Sequence, residues 1–130
     1  MSVGLLVISH NGIGQALLGT ATFMMDGCPL QVKVLSASRD SLPDEILEHA
    51  KESIEILDAG QGVLILTDLY GSTPNNVAQQ LLKQYEVRIV TGLNLSMLLR
   101  VLNYPQLALD EMADRAVSGG KEGIILTSPD

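Results

Sequence analysis

The chain has 130 residues, a net charge of −7 and a sequence pI of about 4.6, and its length predicts a single domain over residues 1–130. Its eight Lys and Arg residues are spread thinly and make no basic face, so neither nucleic acid nor an anionic membrane is expected as a partner. One cysteine and two histidines allow no internal disulfide and no metal site rich in Cys or His, and we expect no metal and no cofactor.

Apolar segments in this chain are all short. The first apolar run, residues 3–8, is too short to span a membrane, and no basic segment precedes it as in a signal peptide. No other run reaches 18 apolar residues. We therefore expect a soluble cytoplasmic protein without direct membrane insertion.

Apolar runs of strand length recur along the chain. The first and third runs are continuously apolar, which is typical of strands buried on both faces of a parallel sheet. The second alternates apolar and polar residues and predicts a half-exposed strand near a sheet edge. A last short strand is expected in the segment EGIILTS, residues 122–128. The four earlier strands are predicted at 3–9, 30–37, 62–68 and 86–92.

Helical spacing of apolar residues separates these runs. The predicted stripes are Ile13, Leu17, Ala21 and Met24 in the first helix, Ile46, Ala50, Ile54 and Leu57 in the second, and Val77, Leu81 and Leu82 in the third. Ser41 and Asp44 are spaced as an N-cap and its acidic partner. The third helix is expected at 75–85, and two more at 94–104 and 105–120. Strands alternating with helices predict an α/β fold, a doubly wound and mostly parallel sheet of four strands with helices on both faces.

Polar residues stand where the predicted strands end. Ser9 and His10 end the first strand, and Asp68 ends the third. Ligands of open α/β sheets bind beyond the carboxyl ends of the strands, so His10 and Asp68 are candidate neighbours. A carboxylate that holds one ring nitrogen fixes the tautomer and leaves the other nitrogen free as a base or nucleophile. The alternative is a histidine that only satisfies a strand-to-helix turn.

The second histidine, His49, lies in the second predicted helix beside Glu45, Glu48 and Glu52. The apolar stripe of that helix faces the other way, so His49 is expected to be a solvated surface residue.

The loop DLYGSTPNN adds possible phosphate donors beside His10. Ser72 and Thr73 precede a predicted helix N-terminus, and Asn11 and Gly12 open the first helix on the same edge. Helix N-termini favour anions, so this edge suits a phosphoryl group. Thr73 alternatively serves only as an N-cap. The motifs GxGxxG, GxxxxGK[ST] and GxSxG are absent from the sequence.

The segments LLVISHNGIGQALL, GVLILTDLYGSTPNNVA, VRIVTGLNLSMLLRVL and SGGKEGI resemble the IIA component of the mannose-family sugar phosphotransferase system. The resemblance covers essentially the whole chain. It implies that His10 is transiently phosphorylated, that Asp68 supports it, and that Thr73 lies near the phosphate. It also implies a phosphoryl donor, HPr, a IIB acceptor that phosphorylates the sugar, and a homodimer with an exchanged, antiparallel C-terminal strand.

The sequence departs from this family at two positions. Asn11 follows the histidine where the family often has glycine, and Ser72 stands where glycine is common. Asn tolerates unusual φ angles, so the turn can survive. The resemblance covers only a IIA region, and we expect the IIB partner to be a separate protein. Two other functions stay open, a regulatory module sensed through its phosphorylation and a phosphoryl donor of a dihydroxyacetone kinase system.

Overall fold

The computed structural model describes residues 2–130, and a four-stranded parallel sheet forms its centre. The strands are β1 Gly4–His10, β2 Val32–Ala37, β3 Val63–Thr67 and β4 Val87–Thr91. They lie in the order β2-β1-β3-β4, and every pair is parallel. The two central strands are β1 and β3, whose residues from Gly4 to Ser9 and from Val63 to Thr67 are buried. Their unbroken apolar character follows from this burial, because both faces of each strand are covered.

Helices cover both faces of the sheet. They are α1 Ile13–Met25, α2 Pro43–Leu57, α3 Thr73–Gln80, α4 Leu95–Asn103 and α5 Leu109–Glu122. Helices α1, α4 and α5 pack on one face, where Leu5 and Leu64 point, and α2 and α3 pack on the other, where Leu6 and Ile65 point. The doubly wound α/β fold is therefore confirmed. The half-exposed strand β2 is an edge strand, as its alternation predicted.

The predicted C-terminal strand does not form within the single chain. Helix α5 continues to Glu122, and residues 124–130 form no strand. Ile124, Ile125 and Leu126 are exposed there and pair with no strand of residues 2–130. A strand is stabilised by a neighbouring strand, and this segment meets none within its own chain.

The ends of two helices differ from the prediction. Leu42 rather than Ser41 is the N-cap of α2, because the Ser41 hydroxyl accepts the Ser38 N–H at 2.9 Å and is engaged in the preceding turn. Helix α3 ends at Gln80 and continues as a short 3₁₀ helix, so Leu82 is exposed instead of facing inward. Leu81 is buried as predicted.

The apolar stripe of α1 is also narrower than its sequence predicted. Ala21 is buried and Leu17 is partly buried, whereas Ile13 and Met24 are exposed. The helix approaches the sheet at Gly14, which has no side chain, and at Ala21, whose side chain is a single methyl group, and both allow close packing. Its larger apolar residues at the two ends extend beyond the contact.

Candidate functional site

The strand order places β1 beside β3 at the centre of the sheet, with β2 on the other side of β1. The chain leaves β1 for α1 on one face and leaves β3 for α3 on the opposite face. The two exits diverge, and the crevice between them is the position where open α/β sheets bind ligands. His10 ends β1 at this crevice, and Asp68 directly follows β3.

Asp68 contacts both the backbone and the ring of His10. The His10 backbone N–H donates to Asp68 Oδ2 at 2.9 Å. The ring nitrogen Nδ1 lies 3.1 Å from Oδ1 and 3.0 Å from Oδ2 of the same carboxylate. A carboxylate accepts hydrogen bonds, so Nδ1 carries the proton in this contact. The sequence prediction that His10 and Asp68 are neighbours is confirmed.

The Asp68 side chain is more buried than the His10 side chain that it contacts. The Asp68 side chain is 10% exposed, whereas the His10 side chain is 38% exposed. The carboxylate is thus shielded, and the imidazole reaches the surface. With Nδ1 bound to Asp68, the second ring nitrogen, Nε2, is left with its lone pair available for reaction.

The turn after His10 is fixed by one backbone conformation and two hydrogen bonds. Asn11 adopts a left-handed conformation with φ of 45°, which asparagine tolerates better than most residues. Its N–H donates to the Ala37 carbonyl of β2 at 2.9 Å. The buried Ser9 hydroxyl accepts the Gly14 N–H at 2.9 Å and so satisfies one of the free amides at the start of α1. The departure at Asn11 therefore keeps the turn that glycine would allow.

The loop after Asp68 contains two predicted phosphate donors. Gly71 has φ of 80°, and Ser72 is the N-cap of α3. The Ser72 hydroxyl donates to the Leu69 carbonyl at 2.6 Å. Thr73 is the first residue of α3 and is exposed, so it is not the N-cap. Within residues 2–130, neither hydroxyl forms a hydrogen bond to His10 or Asp68.

A polar cluster behind the site was not predicted from the sequence. Asn75 is 1% exposed, and its Oδ1 accepts the hydroxyls of Thr67 at 3.2 Å and Thr91 at 3.0 Å. These two threonines end β3 and β4, so Asn75 ties the first turn of α3 to both strands. Its Nδ2 is buried without a partner among the described residues. The signal available in the sequence was a polar residue in the first turn of a helix that follows two strands ending in threonine.

The second histidine, a metal site and a membrane span were the other features considered from the sequence. His49 is exposed on α2, as predicted. No group of three or more His, Cys, Asp or Glu residues within 2–130 is arranged to hold a metal ion. In the same range, no helix has the length and apolar character needed to cross a membrane.

The fold and the site together define an α/β protein that presents a carboxylate-bound histidine at the central crevice of its sheet. Residues 4–117 match the family model EIIA-man, described as PTS system fructose IIA component. The chain belongs to this family and is a mannose-family IIA component of the sugar phosphotransferase system, as the sequence resemblance indicated.

Relatives and solved structures agree with this assignment. The mannose-specific EIIAB component of Escherichia coli K12 is 26% identical over 127 residues, which are 95% of this chain and 39% of that protein. The mannose/sorbose-specific IIA subunit from Enterococcus faecalis has a TM-score of 0.87 and 25% identity, with 100% of this chain and 98% of that chain covered. The IIA protein associated with the fucose utilization operon of Streptococcus pneumoniae has a TM-score of 0.80 and 28% identity, with coverages of 97% and 96%. The chain thus spans about two-fifths of the curated relative.

Proposed function

We propose that this IIA component is a cytoplasmic protein that carries a phosphoryl group on His10. It accepts the group from phospho-HPr and passes it to a separate IIB protein for sugar uptake. The observation that carries the proposal is the contact between His10 Nδ1 and Asp68, which leaves Nε2 free on a side chain that is 38% exposed. A histidine held in one tautomer is suited to nucleophilic attack by its other nitrogen.

The transfer step follows from this arrangement. The Nε2 lone pair forms a bond to phosphorus as the bond between phosphorus and the phosphorylated atom of HPr breaks, and that electron pair returns to HPr. The His10 ring gains positive charge while Nδ1 keeps its proton, and the Asp68 carboxylate stabilises that charge through its hydrogen bond. Transfer to IIB is the same step in reverse, with the IIB nucleophile attacking phosphorus. This protein thus acts as a phosphotransferase through a phosphohistidine.

Helix N-termini on two sides support the phosphoryl group in this proposal. Asn11 and Gly12 lead into α1, and Ser72 and Thr73 begin α3. The N-termini of both helices open on the crevice and carry partial positive charge. The Ser72 hydroxyl and backbone N–H both donate to the Leu69 carbonyl, at 2.6 and 3.3 Å, so the exposed Thr73 hydroxyl is the donor still available in this loop.

Exposed apolar residues around the crevice suit protein partners. Ile13, which follows the turn after His10, is 43% exposed. Leu69 and Tyr70, which directly follow Asp68, are 61% and 75% exposed. Apolar residues that surround a polar centre are typical of protein interaction sites. The related proteins are named for mannose, mannose and sorbose, and fucose utilization, which favours sugar uptake over a regulatory module or a dihydroxyacetone kinase donor.

The test is phosphorylation with phosphoenolpyruvate, enzyme I and HPr. Intact mass should rise by 80 Da, the mass of one phosphoryl group, in an acid-labile adduct, and His10→Ala should abolish the rise. His49→Ala is the matched control and should be phosphorylated like the wild type. An adduct that persists in His10→Ala contradicts the proposal. Incubation with candidate IIB proteins or with kinase subunits then identifies the acceptor.

We further propose that two copies form a homodimer by exchanging residues 124–130 as an antiparallel strand. Strand β4 pairs only with β3 within residues 2–130, so its outer edge is open. A groove of about 610 Å³ follows this edge between α3 and α5. Arg88 in that groove donates to Asp110 at 2.6 Å, and this hydrogen bond raises the pKa of Arg88 above its usual value. An edge strand with an adjacent apolar groove favours the addition of a strand, and the exposed Ile124, Ile125 and Leu126 supply one.

Light scattering after size-exclusion chromatography tests the exchange. The full chain should have the mass of a dimer, and a chain ending at Gly123 should have that of a monomer. Ile125→Asp should weaken the dimer without removing any backbone, because it places a charge against the apolar groove. A full chain that is monomeric at all accessible concentrations contradicts this proposal.

A further inference from the structure

The turn that follows β2 is closed on itself. Its first residue, Ser38, donates its N–H to Ser41 Oγ at 2.9 Å, and the Ser41 N–H donates to the Ser38 carbonyl at 3.1 Å. This carbonyl-to-amide bond across four residues is that of a β-turn, with Arg39 and Asp40 at the two corner positions. Both corner residues are exposed. The two hydrogen bonds therefore fix the backbone at Arg39, while its side chain is exposed to solvent.

Arg39 is the single basic residue in the four loops that follow the carboxyl ends of the strands. These loops are residues 11–12, 38–42, 68–72 and 92–94. Among residues 2–130, no carboxylate lies within 4 Å of the Arg39 guanidinium, whereas Lys51, Arg88 and Arg100 form ion pairs. The other basic residues are Lys33 in β2, Lys83 in the 3₁₀ helix, and Arg115 and Lys121 in α5.

The order of the strands puts Arg39 and Asp68 on opposite sides of His10. Asp68 follows β3, and the Arg39 turn follows β2, with β1 between them. His10 pairs with Ala37 in the register of β1 and β2, and the Asn11 N–H donates to the Ala37 carbonyl at 2.9 Å. The two nitrogens of an imidazole point in divergent directions. Because Nδ1 contacts Asp68, Nε2 is directed away from that carboxylate, and the β2 turn lies on the other side of β1 from Asp68.

We infer that Arg39 binds the phosphoryl group carried on His10 Nε2, an inference that rests on the proposed function. A phosphoryl group brings about two negative charges to a site that already holds Asp68 and lies beside Asp40, in a chain whose net charge is −7. Helix N-termini offset part of this charge. A guanidinium provides a full positive charge and two parallel N–H donors to phosphate oxygens. Arg39 is therefore a phosphate-binding residue that stabilises the phosphorylated state of His10.

The experiment measures the equilibrium constant for phosphoryl exchange between HPr and this protein, by ³¹P NMR of mixtures of the two full-length proteins. Arg39→Gln should lower the phosphorylated fraction, with an equilibrium constant about three- to tenfold smaller, because an exposed but bidentate ion pair is lost. Arg39→Lys should recover part of this loss. Asp40→Asn should shift the constant the other way, because it removes a negative charge from the same turn.

Lys83→Gln is the matched control, since it removes one positive charge at the opposite edge of the sheet. It should leave the constant unchanged. An Arg39→Gln constant equal to that of the wild type overturns the inference, and so does an equal decrease in Arg39→Gln and Lys83→Gln. Either result leaves the proposed function intact. A wild-type protein that HPr does not phosphorylate overturns the proposed function and this inference together.

Discussion

The two histidines of this protein occupy contrasting surroundings. His10 ends a buried strand, and one carboxylate from the neighbouring strand holds both its backbone and its ring. His49 lies on the exposed face of α2, with Glu45, Glu48 and Glu52 nearby along the helix. None of these acidic side chains lies within 4 Å of the His49 ring in the described chain. The chemistry of an imidazole thus depends on a carboxylate fixed by the fold, and not on how many acidic residues are close in sequence.

The largest expected effect comes from Asp68→Asn. This change replaces the carboxylate that supports His10 with a neutral amide of similar shape. A hydrogen bond to a charged group contributes about 1.5–3 kcal/mol, so the rate of phosphoryl transfer from HPr should fall about 10- to 100-fold. Rapid-quench measurement of phosphohistidine formation gives this rate.

The matched change on the other histidine is Glu45→Gln, which removes a carboxylate near His49. It should leave the transfer rate unaltered. Equal rates for wild type and Asp68→Asn would remove the contrast between the two histidines.

Gly14→Ala should disturb the support beneath His10. An added Cβ would lie 2.8 Å from Val7 Cγ1 and 2.9 Å from Ser9 Oγ, closer than side chains normally approach. We expect a loss of about 1–3 kcal/mol in the free energy of unfolding, measured by urea denaturation. The control is Gly12→Ala, whose Cβ would meet nothing within 4 Å and whose φ of −95° suits alanine. Gly12→Ala should change the free energy of unfolding by no more than about 0.5 kcal/mol. Similar losses in both variants would show that the close packing of Gly14 against Val7 and Ser9 is unimportant.

Asn75→Ala should have the smallest effect of the three. It removes the acceptor of the Thr67 and Thr91 hydroxyls, and the Thr67 side chain is fully buried. Leaving one buried hydroxyl unsatisfied should lower the free energy of unfolding by about 1–2 kcal/mol. Asn76→Ala, at the exposed neighbouring position, is the control for thermal and urea denaturation. Two variants of equal stability would contradict a structural role for the Asn75 cluster.

The architecture and the central pair of the site could be read from the sequence because both depend on strong, local signals. Continuous apolar runs predict buried parallel strands, and parallel strands bring their carboxyl ends to one edge. His10 and Asp68 were the polar residues at two such ends. The contact between them then required only that β1 and β3 be neighbours.

Other features could not be predicted, since they depend on competing partners in three dimensions. Ser41 is spaced as an N-cap, but its hydroxyl binds the Ser38 amide instead. Residues 124–130 have the composition of a strand, but a strand must also pair with a neighbour, and this segment pairs with no strand of its own chain among residues 2–130. Asn75 gains its role from two threonines that are 8 and 16 residues away in sequence.

The double contact of Asp68 with His10 has a kinetic consequence for a phosphoryl carrier. The carboxylate holds the backbone amide as well as the ring, and these contacts restrain the imidazole in one orientation. In the proposed transfer, donor and acceptor then approach the same nitrogen from the same direction and must take turns. Steady-state kinetics should then show parallel double-reciprocal lines, the ping-pong pattern of a covalent intermediate, with no complex that holds all three proteins at once.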